Sequence, residues 1–234
     1  MDQPDLDRDR LECALGGLSR LNRWSGSAGN LWPVLRDLAK QLQGTDQPNR
    51  SKPVTLRILD LATGAGDNPI RLALKARQEN LPMQFAGCDV NPHSIEFASR
   101  RAQEAGADID WFVGDVLADD LPAGYDVVMC SLYMHHLSND QAAYLLGQMW
   151  QAASRTVMVC DLVRSRFGLW LAIAASRILT RSEVVQTDGP ISVRAAHTIH
   201  EFSNIAKQAG LLEYSLRKRW PARFLFTAHK DPSP

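Results

Sequence analysis

The feature that most constrains this chain is a strand-like apolar run that leads into a turn containing two closely spaced glycines. The run Ile58-Leu-Asp-Leu-Ala-Thr-Gly-Ala-Gly-Asp67 has Asp60 as its third residue and Gly64 and Gly66 close to its end. Glycine accepts positive φ angles and lets a ligand lie directly on the backbone. A glycine turn that cradles a pyrophosphate has the spacing G-x-G-x-x-G instead. Because a carboxylate at Asp60 would repel phosphate, the segment predicts a ligand that presents a cation.

Length, charge and cysteine usage favour one α/β domain with no strong charge bias. The 234 residues suffice for one domain with a sizeable core. The 26 Lys and Arg balance the 26 Asp and Glu, which disfavours a nucleic-acid-binding protein. The four cysteines are scattered, so neither a disulfide framework nor a metal site is predicted. The first twenty residues lack a secretory signal, and the run from Phe167 to Ala175 is shorter than the roughly 20 residues of a membrane span. We therefore expect a cytoplasmic protein without a membrane span.

Periodicity divides the chain into a helical start, an alternating middle and a helical insert. Residues 1–43 predict two helices, the second over residues 31–42, separated by a turn of small residues at 24–29. We interpret these helices as a lid on a core of residues 44–234. Strands and helices alternate over residues 54–160, as in a parallel sheet covered on both faces. A helical insert of about residues 162–212 follows the fifth strand. Strands are expected at 55–60, 84–89, 109–113, 125–131, 156–161, 213–220 and 223–229, and helices near 68–80, 92–105 and 139–153.

The segment from Asp60 to Gly66 resembles motif I of the Rossmann-like, S-adenosylmethionine-dependent (class I) methyltransferases. Ala62 stands where many members of that family have the first of three glycines. Their cofactor, S-adenosyl-L-methionine, carries an ammonium and a sulfonium and no phosphate, which agrees with a carboxylate in the turn. The resemblance implies a doubly wound, seven-stranded sheet that is mostly parallel with one antiparallel strand. It also implies that Asp60, Ala62, Gly64 and Gly66 bind the cofactor.

Two further acids follow predicted strands and acquire roles from this resemblance. Asp89 ends the second strand, where the family uses an acid to accept both ribose hydroxyl protons, with Val90 beside it. Asp115 follows the third strand, where the family's acid accepts the adenine N6 proton and Val116 would pack on the ring. The ordinary alternatives are a helix cap or solvated residue for Asp89 and a turn residue for Asp115.

The exit of the fourth strand resembles motif IV of the family members that act on small molecules. Ser131 is expected beside the sulfonium, and His135 or His136 is a candidate base for a phenol, since imidazole titrates near neutrality. The alternative is that one histidine caps the next helix while the other packs inside. The segment lacks the Asn/Asp-Pro-Pro-Tyr/Phe tetrapeptide of amino-directed enzymes and the Pro-Cys nucleophile of cytosine-C5 enzymes.

The acceptor side is predicted to begin where the fifth strand ends. Asp161 would face the acceptor or the methionine moiety, and Arg164 would orient an anionic acceptor or form a salt bridge with Asp161. Residues 167–179 would line an apolar pocket or merely cover the sheet.

The insert also resembles a subgroup of the family that carries D-G-P-x-S-V-R-x-A-x-T-x-x-E and a final W-P-x-R. This subgroup accompanies polyketide-synthase or flavoprotein genes, and some of its members methylate phenolic lipids or related aromatic compounds. The resemblance makes Asp188, Arg194 and His197 candidates for contacting the acceptor. On the alternative interpretation, Asp188-Gly-Pro is a turn and Thr198-x-x-Glu201 is a capping box.

The resulting hypothesis is methyl transfer from S-adenosylmethionine to a small aromatic or phenolic acceptor, with O-methylation preferred. Arg23 in the N-terminal helical region would meet the cofactor carboxylate, unless it is an ordinary surface arginine. The alternatives are C-methylation of a quinone-type ring and a cofactor-binding, non-catalytic partner subunit. RNA methylation is disfavoured by the neutral charge. No metal is required, and the sequence leaves the oligomeric state open.

Overall fold

A computed structural model describes residues 26–44, 54–179 and 183–230, and within residues 175–188 it describes the backbone alone. The helices are α1 (Ser27–Gly44), α2 (Asp67–Gln78), α3 (Pro92–Ala105), α4 (Asn139–Ala152), α5 (Arg166–Leu179), α6 (Glu183–Ala195) and α7 (Ile199–Gln208). The strands are β1 (Leu56–Leu61), β2 (Met83–Asp89), β3 (Ile109–Val113), β4 (Tyr125–Ser131), β5 (Ala153–Leu162), β6 (Ser215–Arg219) and β7 (Arg223–His229). A 3-10 turn, Met134–His136, follows β4.

The seven strands form one sheet in the order β3-β2-β1-β4-β5-β7-β6. Strands β1 to β5 pair in parallel, and β7 runs antiparallel to both β5 and β6. The predicted seven-stranded, mostly parallel sheet with one antiparallel strand is therefore confirmed. The strand order reverses between β1 and β4, so the carboxyl ends of these central strands border the crevice where such sheets bind ligands.

Alternate residues of the central strands enter two separate cores, because successive side chains of a strand point to opposite faces. Leu59 of β1 packs in one core with α4 and α7, which contributes the fully buried Phe202. Ile58 packs on the other face in a core with α1 and α2. Helix α1 thus covers the sheet, and the expected division into a lid and a core remains a prediction.

Local signals explain where several helices begin. Asn91 caps α3 by accepting from the His93 amide, and Pro92 occupies the first turn. Ser138 and Gln141 form a capping box at α4. Thr198 and Glu201 form another at α7, as the alternative interpretation of this segment predicted.

Two expectations for the helical segments differ from the structure. The turn expected over residues 24–29 ends earlier, because α1 begins at Ser27 and includes Gly29. The Asp188-Gly-Pro segment is not a turn, since α6 continues through it. Residues 1–25, which contain the first predicted helix and Arg23, lie outside the described residues, as do residues 45–53. Over the described ranges, no helix is long and apolar enough to cross a membrane.

Candidate active site

The turn after β1 has the backbone conformation that its small residues predict. Ala62, Gly64 and Gly66 have φ angles of 49°, 54° and 71°. Glycine adopts such angles without strain, whereas an alanine there is uncommon. The Gly64 amide donates to Asp89 Oδ2 at 2.9 Å, and the Asn91 amide donates to Asp89 Oδ1 at 3.0 Å. The carboxylate of Asp89 therefore ties the β1 turn to the end of β2.

Asp60 is a buried carboxyl group with one oxygen available to a ligand. Its Oδ2 accepts from the Thr63 hydroxyl at 2.7 Å, while Oδ1 is buried and has no hydrogen-bond partner. Burial is the largest cause that raises the pKa of Asp60, to about 7. A buried carboxylate oxygen without a donor is costly, and a cationic ligand would relieve that cost. The residues present therefore fit the ammonium of S-adenosylmethionine.

Two glycines beside this turn make room for Trp111 of β3. A Cβ at Gly66 would lie 2.6 Å from Trp111 Cη2, and one at Gly87 would lie 2.5 Å from Trp111 Cζ3. A Cβ at Gly64, in contrast, would meet no atom within 4 Å. Gly66 and Gly87 thus serve the packing of the fold, whereas Gly64 faces open space that a ligand can use.

The Asp115 turn lies beyond β3, at the outer edge of the sheet. Asp115 Oδ1 accepts from the Leu117 amide at 2.9 Å, which is the bond of an ordinary Asp turn. Val116 is buried in the core, whereas Val90 after β2 is exposed. The adenine-binding roles of Asp115 and Val116 and the cofactor contact of Val90 remain predictions.

The exit of β4 places a second unsatisfied polar atom close to Asp60. Ser131 Oγ is buried without a hydrogen-bond partner, and the neighbouring strands β1 and β4 pair Leu61 with Cys130. Leu132 then turns the chain with φ of 58°. Two orphaned oxygens, on Asp60 and Ser131, thus lie on adjacent strand ends, as expected of a polar ligand site.

His135 and Asp161 form a buried pair where β4 and β5 end. His135 Nδ1 lies 2.7 Å from Asp161 Oδ1, and the His135 amide donates to Asp161 Oδ2 at 3.2 Å. Burial, the largest single effect, acts to raise the pKa of Asp161, but His135 and a hydrogen bond from the Leu162 amide together hold that pKa below its usual value. A carboxylate only accepts, so Nδ1 of a neutral His135 carries the proton and Nε2 keeps its lone pair.

The other two candidate histidines have different surroundings. His136 is exposed, with its ring centroid 4.2 Å from that of His135. His197 is buried, and its Nε2 lies 3.2 Å from the Met134 carbonyl oxygen. Since a carbonyl only accepts, Nε2 of His197 is the donor, and this bond joins the end of α6 to the 3-10 turn. The geometry of His197 favours a structural role.

The other acceptor-side candidates whose side chains are described, Arg164 and Arg194, do not join this pair. Arg164 forms an ion pair with Glu201 and not with Asp161. Arg194 is exposed, and the side chain of Asp188 is outside the described set. Among the described residues, no cluster of His, Cys, Asp and Glu has the arrangement of a metal site.

Arg223 is a buried arginine that the motif W-P-x-R marked without assigning it a role. It donates to Ser27 Oγ at 2.8 Å and interacts electrostatically with Asp161 and Cys160. Burial is the main cause that lowers the pKa of Arg223. This residue joins the start of α1 to the carboxyl end of β5. The signal in the sequence was an arginine at the start of an otherwise apolar strand.

Comparison with known proteins gives matches over part of the segment that builds this site, and the family match ends before Asp161. Residues 58–155 match a family model described as a methyltransferase domain. Demethylmenaquinone methyltransferase of Thermus thermophilus is 29% identical over 129 residues, covering 53% of this chain and 56% of the relative. The 3-hydroxy-5-methyl-1-naphthoate 3-O-methyltransferase of Streptomyces sahachiroi is 32% identical over 112 residues, covering 46% and 31%. The chain thus matches about half or less of the length of these relatives.

A solved structure resembles the chain over almost its whole length. Magnesium protoporphyrin IX methyltransferase of Synechocystis PCC 6803, determined with bound S-adenosylmethionine, has a TM-score of 0.54. It is 15% identical, and the match covers 98% of this chain and 100% of that one. At this identity the likeness shows the fold alone. The family match covers the turn at Asp60, the acid Asp89 and the β4 exit with His135.

Proposed function

Because the chain belongs to the class I S-adenosylmethionine-dependent methyltransferases, we propose that it methylates a phenolic oxygen of a small aromatic acceptor. The cofactor of this class supplies an electrophilic methyl group on a sulfonium. In this proposal Asp60 holds the ammonium, Asp89 the ribose hydroxyls, and Ser131 lies beside the sulfonium. The orphaned oxygens of Asp60 and Ser131 support these assignments.

The observation that carries the proposal is the buried pair of His135 and Asp161. Asp161 fixes the His135 tautomer, so Nε2 is the nitrogen that can take the proton of an acceptor hydroxyl. Removing that proton makes the oxygen a better nucleophile. Alignment of the acceptor in a site that excludes water supplies the rest of the rate. The Streptomyces relative, an O-methyltransferase by name, supports the preference for oxygen.

The second candidate function is methylation of a ring carbon in a quinol. It is favoured by the similarity to a demethylmenaquinone methyltransferase. A base at His135 would serve this reaction too, because carbon attack by a quinol is also promoted by loss of a hydroxyl proton. The two candidates therefore differ in the product bond and not in the base.

The proposed function is tested with methyl-labelled S-adenosylmethionine and a panel of phenols and quinols. Hydroiodic acid releases labelled methyl iodide from a methyl ether and leaves a ring methyl in place. O-methylation predicts release of the label from the product, and retention of the label would favour carbon methylation. Cofactor binding without turnover on any acceptor would favour a non-catalytic subunit.

The role of the base is tested with His135→Gln and with His136→Gln as the matched control. The first variant should lower turnover on a neutral phenol by roughly 10²–10⁴-fold, with unchanged affinity for S-adenosylhomocysteine. An acceptor that is already ionised at the assay pH should largely escape this loss. Equal losses in both variants, or an equal loss on the ionised acceptor, would contradict the assignment of His135.

A further inference from the structure

Three aromatic side chains form an exposed cluster, which we call the aromatic patch: Phe167, Trp170 and Trp220. Their exposed fractions are 48%, 64% and 74%. The Phe167 ring centroid lies 6.3 Å from that of Trp170 and 5.8 Å from that of Trp220. Large apolar side chains that are exposed together, and not singly, mark interaction surfaces.

The two elements that carry the aromatic patch, α5 and the β6–β7 turn, pack directly against each other. The Val163 amide donates to the Ala222 carbonyl at 2.9 Å. A Cβ at Gly168 would lie 3.0 Å from Ala222 Cβ and 2.9 Å from Ser165 Oγ, so only glycine allows this approach. The two elements therefore hold the three rings in a fixed relation to each other.

The aromatic patch lies at the carboxyl edge of the sheet, next to the candidate active site. Leu162, the last residue of β5, pairs with Arg223, three residues after Trp220. Asp161 of the buried pair is the preceding residue of the same strand. The other end of β6 lies at the opposite edge of the sheet, where Leu212 is 80% exposed.

The chain segment that carries the aromatic patch is rich in cations although the whole chain is neutral. Residues 162–230 contain eleven Lys and Arg against four Asp and Glu. Arg166 and Arg219 flank the aromatic residues directly along the chain, and Arg217 and Lys218 of β6 are exposed. One of the acids, Glu201, is already paired with Arg164. Such an asymmetry within a neutral chain points to a negatively charged partner.

We propose that the aromatic patch and its flanking cations bind the surface of an anionic lipid bilayer. Tryptophan and phenylalanine favour the boundary between head groups and acyl chains, and arginine and lysine next to them are attracted to anionic lipids. A single-stranded nucleic acid fits less well. A base held between two rings needs about 7 Å between their centroids, twice the van der Waals contact distance, and these rings are closer. The surface would place the active-site edge of the sheet against the membrane.

The test is co-sedimentation of the full chain with vesicles of phosphatidylcholine, with and without phosphatidylglycerol. We expect binding to the anionic vesicles that weakens as salt is added, and little binding to the neutral ones. The double variant Trp170→Ser/Trp220→Ser should lose at least about tenfold in affinity. The matched control Leu212→Ser removes an equally exposed apolar side chain at the opposite edge and should bind as the wild type does.

The charge contribution is tested separately with Arg166→Gln and Arg219→Gln. Each variant should weaken binding to anionic vesicles by about fivefold, which corresponds to roughly 1 kcal/mol per cation. The control is Lys207→Gln, near the C-terminal end of α7, and it should leave binding to anionic vesicles unchanged. Brominated lipid should quench wild-type tryptophan fluorescence, and the double tryptophan variant should lose this quenching.

Four results would overturn the proposal. The first is failure of the wild-type chain to bind anionic vesicles, and the second is an equal loss of binding in Leu212→Ser. The third is preferential binding of single-stranded RNA. The fourth is a monomer–dimer equilibrium that the tryptophan variants abolish without any change in vesicle binding. Circular dichroism and thermal unfolding of each variant show whether the fold is retained, so loss of binding is not confused with unfolding.

Discussion

At the scale of single residues, protonation of Asp60 should make affinity at the cofactor site depend on pH. Its pKa of about 7 means that it is half protonated near neutrality, and only the ionised form attracts an ammonium. Affinity for S-adenosylhomocysteine should therefore rise with pH and level off above about 7, with up to tenfold lost per pH unit below. Calorimetry between pH 5.5 and 8.5 measures this. Asp60→Asn should bind weakly and without this pH dependence, and an unchanged profile would remove Asp60 from the site.

The same residue should affect the stability of the free protein in the opposite direction. The pKa of Asp60 is 3.8 in the unfolded chain and about 7 when folded, so the folded state holds the proton between these values. The contribution of Asp60 to the free energy of unfolding is therefore greatest below about pH 4, and it falls as the pH rises to 7. Three pKa units correspond to a cost on the order of 4 kcal/mol above pH 7. Urea unfolding at pH 8 should find Asp60→Asn more stable than the wild type, and the difference should shrink at pH 4.

At the scale of elements, the glycines around β1 and β2 have two different roles: one group allows close packing, and the other leaves space for a ligand. Gly87→Ala would drive its Cβ into the Trp111 ring, and overpacking of this kind typically costs 1–3 kcal/mol. Gly64→Ala meets no neighbour, so its cost is the positive φ, on the order of 1 kcal/mol, together with the ligand space it fills.

We therefore expect Gly87→Ala to lower the free energy of urea unfolding more than Gly64→Ala does. Calorimetric affinity for S-adenosylhomocysteine should fall mainly in Gly64→Ala. Trp111→Phe should partly restore the stability of Gly87→Ala, since the smaller ring ends further from β2. A Gly64→Ala variant with wild-type affinity would mean that the ligand does not lie on this turn.

The elements also show what the sequence allowed us to predict. Strands β3, β4 and β7 have the expected bounds. Strand β4 was predictable because a buried parallel strand is a nearly continuous apolar run. Helix α1 was extended beyond its predicted start because Ser27 is held by Arg223, a contact between residues 196 positions apart. The alternative interpretation of Asp188-Gly-Pro as a turn was wrong, because the local turn signal at Gly189-Pro190 does not stop helix α6.

At the scale of the whole molecule, the site depends on how strands align, which local patterns do not encode. Each acid at a strand end was visible in the sequence, but the pairing of His135 with Asp161 was not. It arises because β4 and β5 are neighbours and pair Ser131 with Cys160, which brings the two exits together. The exposure of Trp170 and Trp220 was equally hidden, since an apolar run more often covers a sheet than faces solvent.

The last prediction concerns the acceptor and involves the insert as well as the sheet. The insert follows β5, beginning close to the pair of His135 and Asp161, and includes the apolar stretch from Leu169 to Ile173. If this stretch lines the acceptor site, a tail on the phenol would be buried against it, gaining about 0.8 kcal/mol per methylene. That gain corresponds to an increase in kcat/KM of about fourfold for each methylene, until the apolar surface is filled.

The measurement is kcat/KM for a series of alkylphenols of increasing tail length, in detergent-free solution and below their aggregation limit. These conditions separate burial in the protein from partition into vesicles, so the outcome is independent of membrane binding. Leu169→Ala should flatten the series while leaving kcat/KM for the tailless phenol unchanged. If kcat/KM of the wild type does not change with tail length, a lipid-tailed acceptor is excluded, and a compact aromatic or quinone-like acceptor remains.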